Sequence, residues 1–142
     1  MKKPAIIKLG VGVLTMLLVY GCQNISRGPT DEELINTRMA DWKTAVIAKD
    51  LDNLMVAYSE NYVSRRGDGK ESVRKFMARV FERGHMDNVK VNLENAETTI
   101  EEDKATFGPV EFISDRGTMM FEYTLQKEGE SWLIVRSKRQ EQ

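Results

Sequence analysis

The chain has 142 residues, 41% of them hydrophobic and 30% charged, with a formal net charge of −1. That length suits one domain, and that balance excludes a disordered tail and a multi-span membrane protein. One Cys and one His exclude an internal disulfide framework and zinc sites built from several thiolates or imidazoles, leaving His85 as the only imidazole base.

Lys2, Lys3 and Lys8 introduce an apolar run from Leu9 to Tyr20, followed by Gly21-Cys22. The run is shorter than the roughly 20 residues that span a bilayer, so it reads as the core of an export signal. Leu18-Val19-Tyr20-Gly21-Cys22 resembles a bacterial lipobox, although Tyr20 is bulkier than the usual occupant. The resemblance implies a signal peptide over residues 1–21, cleavage before Cys22, and a membrane anchor of lipid on that Cys. Two or more acyl chains hold firmly, at about 0.8 kcal/mol per buried CH₂. An uncleaved anchor and an ordinary signal peptide with a chance Cys are the alternatives. Gln23 resembles an outer-membrane sorting residue, which implies a bacterial envelope protein facing the periplasm. Cleavage removes three lysines and no acid, leaving 18 basic against 22 acidic residues, a net of −4. Such a domain lacks the basic footprint of a nucleic-acid binder. Residues 22–30 then form the lipidated Cys and a polar tether, and residues 31–142 the domain.

Thr30-Asp31-Glu32-Glu33 is a capping box. The helix behind it carries Ile35, Met39, Trp42 and Val46 on one stripe, with Lys49 in its last turn. Asp50 caps a second, short helix with Leu51, Leu54, Met55 and Tyr58 on one face. A brief strand is expected at Tyr62-Val63-Ser64. After Gly67-Asp68-Gly69, a third helix holds Val73, Phe76, Met77, Val80 and Phe81 at helical spacing and stops at Gly84.

From residue 88 the period becomes two. Val89, Val91 and Leu93 form one strand; Ala105, Phe107, Val110 and Phe112 another, with a bulge or an edge expected at Pro109. Met119, Phe121, Tyr123 and Leu125 follow the Asp115-Arg116-Gly117 turn, and Trp132-Leu133-Ile134-Val135 follows Glu128-Gly129-Glu130. Three helices and then a four-stranded antiparallel meander make an α+β domain with helices covering one face of the sheet.

This order resembles the NTF2-like superfamily, also called SnoaL-like or cystatin-like α+β cones. The texture is similar at Trp42, at Lys49-Asp50-Leu51-Asp52-Asn53-Leu54-Met55, at Tyr58-Ser59-Glu60-Asn61-Tyr62, at Gly69-Lys70-Glu71 and at Gly129-Glu130-Ser131-Trp132-Leu133-Ile134. The likeness covers residues 31–139, and its motifs are caps, turns and core aromatics. It implies a curved sheet wrapped around the third helix, leaving a cone-shaped apolar pocket for a small apolar ligand. Trp42, Tyr58, Tyr62 and Phe76 would line that pocket, with Phe107, Phe112, Tyr123 and Trp132 opposite. The alternative is that these side chains fill the cone as ordinary core.

Enzymes of this fold need a polar pair in the apolar pocket, such as a carboxylate base with a Tyr or acid donor. No carboxylate interrupts an apolar stripe here: Glu94, Glu111 and Glu122 fall on the polar phase of their strands, and Asp41 has no partner. His85 suits an exposed helix end. No catalytic set and no cofactor is therefore expected, and Glu101-Glu102-Asp103 lacks the ligand count of a calcium loop. Arg65-Arg66 reads as a solvated loop, with an anion site at the pocket rim as the alternative. Arg66-Gly67-Asp68 reads as a turn. Leu133 and Val135 lie on the phase opposite Trp132 and Ile134, and with Met120 suggest a homodimer face on the sheet. The expected function is a membrane-anchored, non-catalytic binding or assembly module. A small-molecule isomerase or dehydratase and a purely structural dimeric scaffold are the alternatives.

Overall fold

The computed structural model describes residues 27–141; the lipobox and Cys22 lie outside the described residues. Helix α1 (Asp31–Ala48) begins at the expected capping box. Thr30 Oγ1 accepts from the Glu33 N–H at 3.2 Å, and Glu33 Oε2 accepts from the Thr30 N–H at 2.8 Å. Ile35, Met39, Trp42 and Val46 are all buried, together with Ala45. Lys49 closes the helix in the left-handed conformation. Asp50 then caps α2 (Leu51–Val56), accepting from the Asn53 N–H at 3.1 Å. Among the described residues no helix is long and apolar enough to cross a membrane.

The sheet has five antiparallel strands rather than the expected four. These are β1 (Lys90–Asn92), β2 (Glu97–Glu101), β3 (Lys104–Ser114), β4 (Gly117–Glu128) and β5 (Ser131–Gln140). The order is β1-β3-β4-β5, and β2 shares β3 with β1: β1 pairs with residues 111–113 and β2 with residues 104–108. Periodicity missed β2 because Glu97-Thr98-Thr99-Ile100-Glu101 has no buried face; its backbone ladder to β3 holds it in place. The register slips between Phe107 and Val110, the bulge expected at Pro109. Gly108 beside it allows a close approach of strands, since a Cβ there would lie 3.0 Å from the Phe121 carbonyl oxygen.

The brief strand expected at residues 62–64 is absent. Residues 57–63 instead run along the free edge of β5. The Ile134 N–H donates to the Ala57 carbonyl at 2.8 Å, the Ser59 N–H to the Ile134 carbonyl at 2.9 Å, and the Val63 N–H to the Val135 carbonyl at 3.1 Å. That edge is thereby covered.

The face that α1 covers holds the core: Val91, Ala105, Phe107, Val110, Leu125, Trp132 and Ile134 pack against the helix stripe. On the opposite face Met120 lies between Glu111 and Gln140, and Leu133 lies beside Gln126. The pairs Glu122–Lys138 and Thr124–Arg136 separate them, and Val135 is the extra residue of a second bulge. These three residues are half-buried and form no continuous apolar strip. The bulge accounts for Val135, while Leu133 keeps the phase opposite Trp132 and Ile134.

Helix α3 (Lys70–Glu82) is the exception to the packing. It has a strongly amphipathic sequence, yet none of its residues is buried. It packs against α2 and stands clear of every strand.

Candidate functional site

The gap between α3 and the sheet is an open cleft of about 1330 Å³. Val73, Phe76, Met77 and Val80 line it from the helix, while Val73, Met77 and Phe81 are half-buried against the margin of the core. The floor is aromatic. Trp42 sits with its ring centroid 5.0 Å from Tyr123 and 6.0 Å, edge-on, from Phe112. Tyr58 and Tyr62 meet edge-to-face at 5.4 Å, as do Phe112 and Phe121. Such offset and edge contacts fix ring positions.

Three phenols bring polarity to this floor. The Trp42 indole N–H donates to the Tyr58 hydroxyl at 3.2 Å, and the Tyr62 hydroxyl shares a hydrogen bond with Ser137 Oγ at 3.1 Å. Tyr123 has no hydrogen-bond partner for its hydroxyl among the described residues. Burial pushes the Tyr58 phenol well above its ordinary range, against the Trp42 hydrogen bond, and the nearby Tyr62 raises it further. Tyr123 is raised in the same way, first by burial and then by Tyr58 and Tyr62. Tyr58 and Tyr123 stay neutral and serve as hydrogen-bonding hydroxyls. They are poor acids and poor bases at neutral pH.

The mouth is charged. Ser64 shapes the loop before α3: its Oγ accepts from the Arg66 N–H at 3.2 Å and the Asp68 N–H at 3.0 Å, and its own N–H donates to the Asp68 carbonyl at 2.7 Å. This turn holds Arg65 and Arg66 at the rim. Arg79 of α3, Arg116 of the β3–β4 hairpin and Arg139 of β5 line the same cleft. Three carboxylates accompany them, Asp68, Asp87 and Asp115, of which Asp87 is paired with Lys49. His85 is exposed at the mouth, one residue past Gly84.

Of the eight aromatic residues expected to line a pocket, six do: Trp42, Tyr58, Tyr62, Phe76, Phe112 and Tyr123. Phe107 and Trp132 do not. Both are buried in the core beneath α1, and the Trp132 indole N–H donates to Asp31 Oδ1 at 3.0 Å. Both belong to the part of the core that α1 packs on, where the Arg38 side chain also donates to the Trp132 carbonyl at 3.1 Å. Phe121 belongs to the cleft and stood in the stripe Met119, Phe121, Tyr123, where its alternation was visible. The distant arginines carried no common signal, since only folding brings the 65–66 loop, α3, a hairpin and the end of β5 to one opening. The crevice between α2 and α3 is a separate surface groove, bridged by Lys70–Glu60 at 2.7 Å and Arg74–Asp52 at 2.9 Å. No group of three or more His, Cys, Asp or Glu able to hold a metal occurs among the described residues.

No family model matches this sequence, and no curated protein is similar to it. Its fold has many counterparts among solved structures. An NTF2-like protein of unknown function from Shewanella oneidensis shares 15% identity at a TM-score of 0.61, over 79% of this chain and 100% of that one. A cystatin-like protein of unknown function from Nostoc punctiforme shares 14% at 0.61, over 80% and 93%. Bd1075 of Bdellovibrio bacteriovorus shares 16% at 0.62, over 74% of this chain but only 38% of its own length. At such identities the likeness shows the fold alone, and the fold is NTF2-like.

Proposed function

We propose that this protein is a non-catalytic small-molecule-binding module of the bacterial envelope, anchored through lipid on Cys22. The observation that supports it is the cleft of about 1330 Å³ beneath α3, with an aromatic floor and an amphipathic helix over it that buries none of its residues fully. Ligand sites are concave, largely apolar and carry a few convergent polar groups; here those groups are the hydroxyls of Tyr58, Tyr62 and Tyr123. An apolar ligand in the cleft would cover the stripe of α3 and take its hydrogen bonds from the phenols.

Binding is preferred to turnover on the chemistry of that floor. Proton transfer at neutral pH needs a group whose pKa lies near the working pH. The perturbed groups at the base are phenols displaced upward, away from that range. The carboxylates and the imidazole of the cleft sit at its solvent-facing mouth.

Native mass spectrometry of the full chain purified from cells tests the reading. A retained small molecule, displaced when Tyr123→Trp fills the floor, is the expected result. A chain that carries no adduct and shows no thermal shift with any member of a panel of apolar ligands would overturn it.

A further inference from the structure

The composition of the mouth narrows the ligand. Residues 27–141 contain ten arginines and eight lysines; five of the arginines line the cleft and none of the lysines does. The same residues carry a net charge of −4, so the cations of the cleft gather against the balance of the domain. Arg65, Arg66, Arg79, Arg116 and Arg139 make no ion pair among the described residues, whereas the nearby Asp87 is already engaged by Lys49. Asp68 is folded into its own loop by Ser64. An arginine fork matches the two oxygens of a carboxylate or phosphate, where a lysine offers only a point charge. Low-dielectric aromatic walls also focus the field of charges at a cleft mouth.

We infer that the cleft takes an amphiphilic oxyanion, an apolar body laid over the aromatic floor with one carboxylate or phosphate held by the arginines of the mouth. This rests on the small-molecule reading above and specifies its ligand class. The apolar rim fits the same class: Phe76 and Met119 are 57% and 42% exposed beside those arginines, a lip suited to an alkyl chain that enters tail first.

The test uses the full chain in phosphatidylcholine nanodiscs, titrated calorimetrically with octanoate, octyl phosphate and 1-octanol, with empty nanodiscs as the blank. Both anions are expected to bind about tenfold more tightly than the alcohol, a difference of about 1.4 kcal/mol, and the gap should narrow as salt is raised. Arg65→Gln with Arg66→Gln should remove most of the preference and leave 1-octanol binding unchanged. Arg116→Gln with Arg139→Gln serves as a second variant should the loop pair disturb folding. Adding phosphatidylglycerol to the nanodisc separates the sources: competition with octanoate assigns the site to a lipid of the membrane, and no competition assigns it to a free amphiphile. Equal binding of acid and alcohol would overturn the anionic preference while the small-molecule reading stands. Binding of none of the three probes would overturn both.

Discussion

Trp42 and Tyr58 are joined side chain to side chain, the indole N–H of α1 donating to the phenol oxygen of the segment after α2 at 3.2 Å. The bond is buried, and it ties the helix that covers the sheet to the segment that seals the β5 edge. Tyr58→Phe removes the acceptor and leaves the indole N–H without a protein partner. The expected loss is about 1–3 kcal/mol, the cost of an unsatisfied buried donor. Trp42→Phe with Tyr58→Phe removes both partners, and the double variant should be less destabilised than the sum of the single ones. Urea denaturation of the four proteins measures the coupling.

Asp31 serves both ends of the chain. Its Oδ1 accepts from Lys127 Nζ at 2.8 Å and from the Trp132 indole at 3.0 Å, and these two bonds hold its carboxyl below the usual carboxylate range. A carboxylate with a lowered folded pKa contributes stability that is complete above its unfolded value of about 3.9 and is lost as pH falls through the folded value. Asp31→Asn should therefore lower stability at neutral pH and flatten the acid limb below about pH 4. Thermal melts of both proteins between neutral and strongly acid pH report the difference, and an unchanged acid limb would refute the assignment.

The phenols set the alkaline limit. Tyr58 and Tyr123 are raised in the folded state, so their contribution is complete below the unfolded value of about 10 and declines as pH rises toward the folded values. Stability should fall above about pH 10, and the phenolate absorbance of these two residues should appear together with unfolding. Phenolate signal from both in a still-folded chain would contradict the buried floor.

The anchor makes a prediction independent of the cleft. Growth with a palmitate analogue should label the wild-type chain in the membrane fraction, and Cys22→Ser should abolish the label. Undiminished labelling of Cys22→Ser would exclude lipid on that sulfur.

Much of the fold was legible because each helix and long strand repeats one decision. The stripe Ile35, Met39, Trp42, Val46 and the box Thr30-Glu33 fix α1 by local chemistry alone, and the structure reproduces both. β2 escaped because it has no fully buried residue to mark an inner face and its position depends on pairing with β3 and on a bond from Thr98 Oγ1 to Asn36 Oδ1 of α1. The cleft was half legible. Aromatic residues at strand spacing face inward whether they line a hollow or fill a core, so alternation alone does not separate Tyr123, which lines the cleft, from Phe107 and Trp132, which do not. Arg65-Arg66 suggested a rim anion site as one alternative, but Arg79, Arg116 and Arg139 join it only through the tertiary fold.

Helix α3 is where occupancy should be visible. It presents Val73, Met77 and Val80 to an open cleft and has no buried residue, so few tertiary contacts oppose its local opening. Its amides should exchange faster than those of β3 and β4, the central strands of the sheet. A ligand that fills the cleft binds the closed helix better than the opened one, so it should slow exchange in α3 selectively. At a free ligand concentration of 100 times Kd the added protection approaches about 2.7 kcal/mol. Hydrogen exchange followed by mass spectrometry, with octanoate present and absent, resolves the two regions. Equal protection of α3 and the central strands in the free protein would mean that the helix is packed, and the cleft beneath it closed.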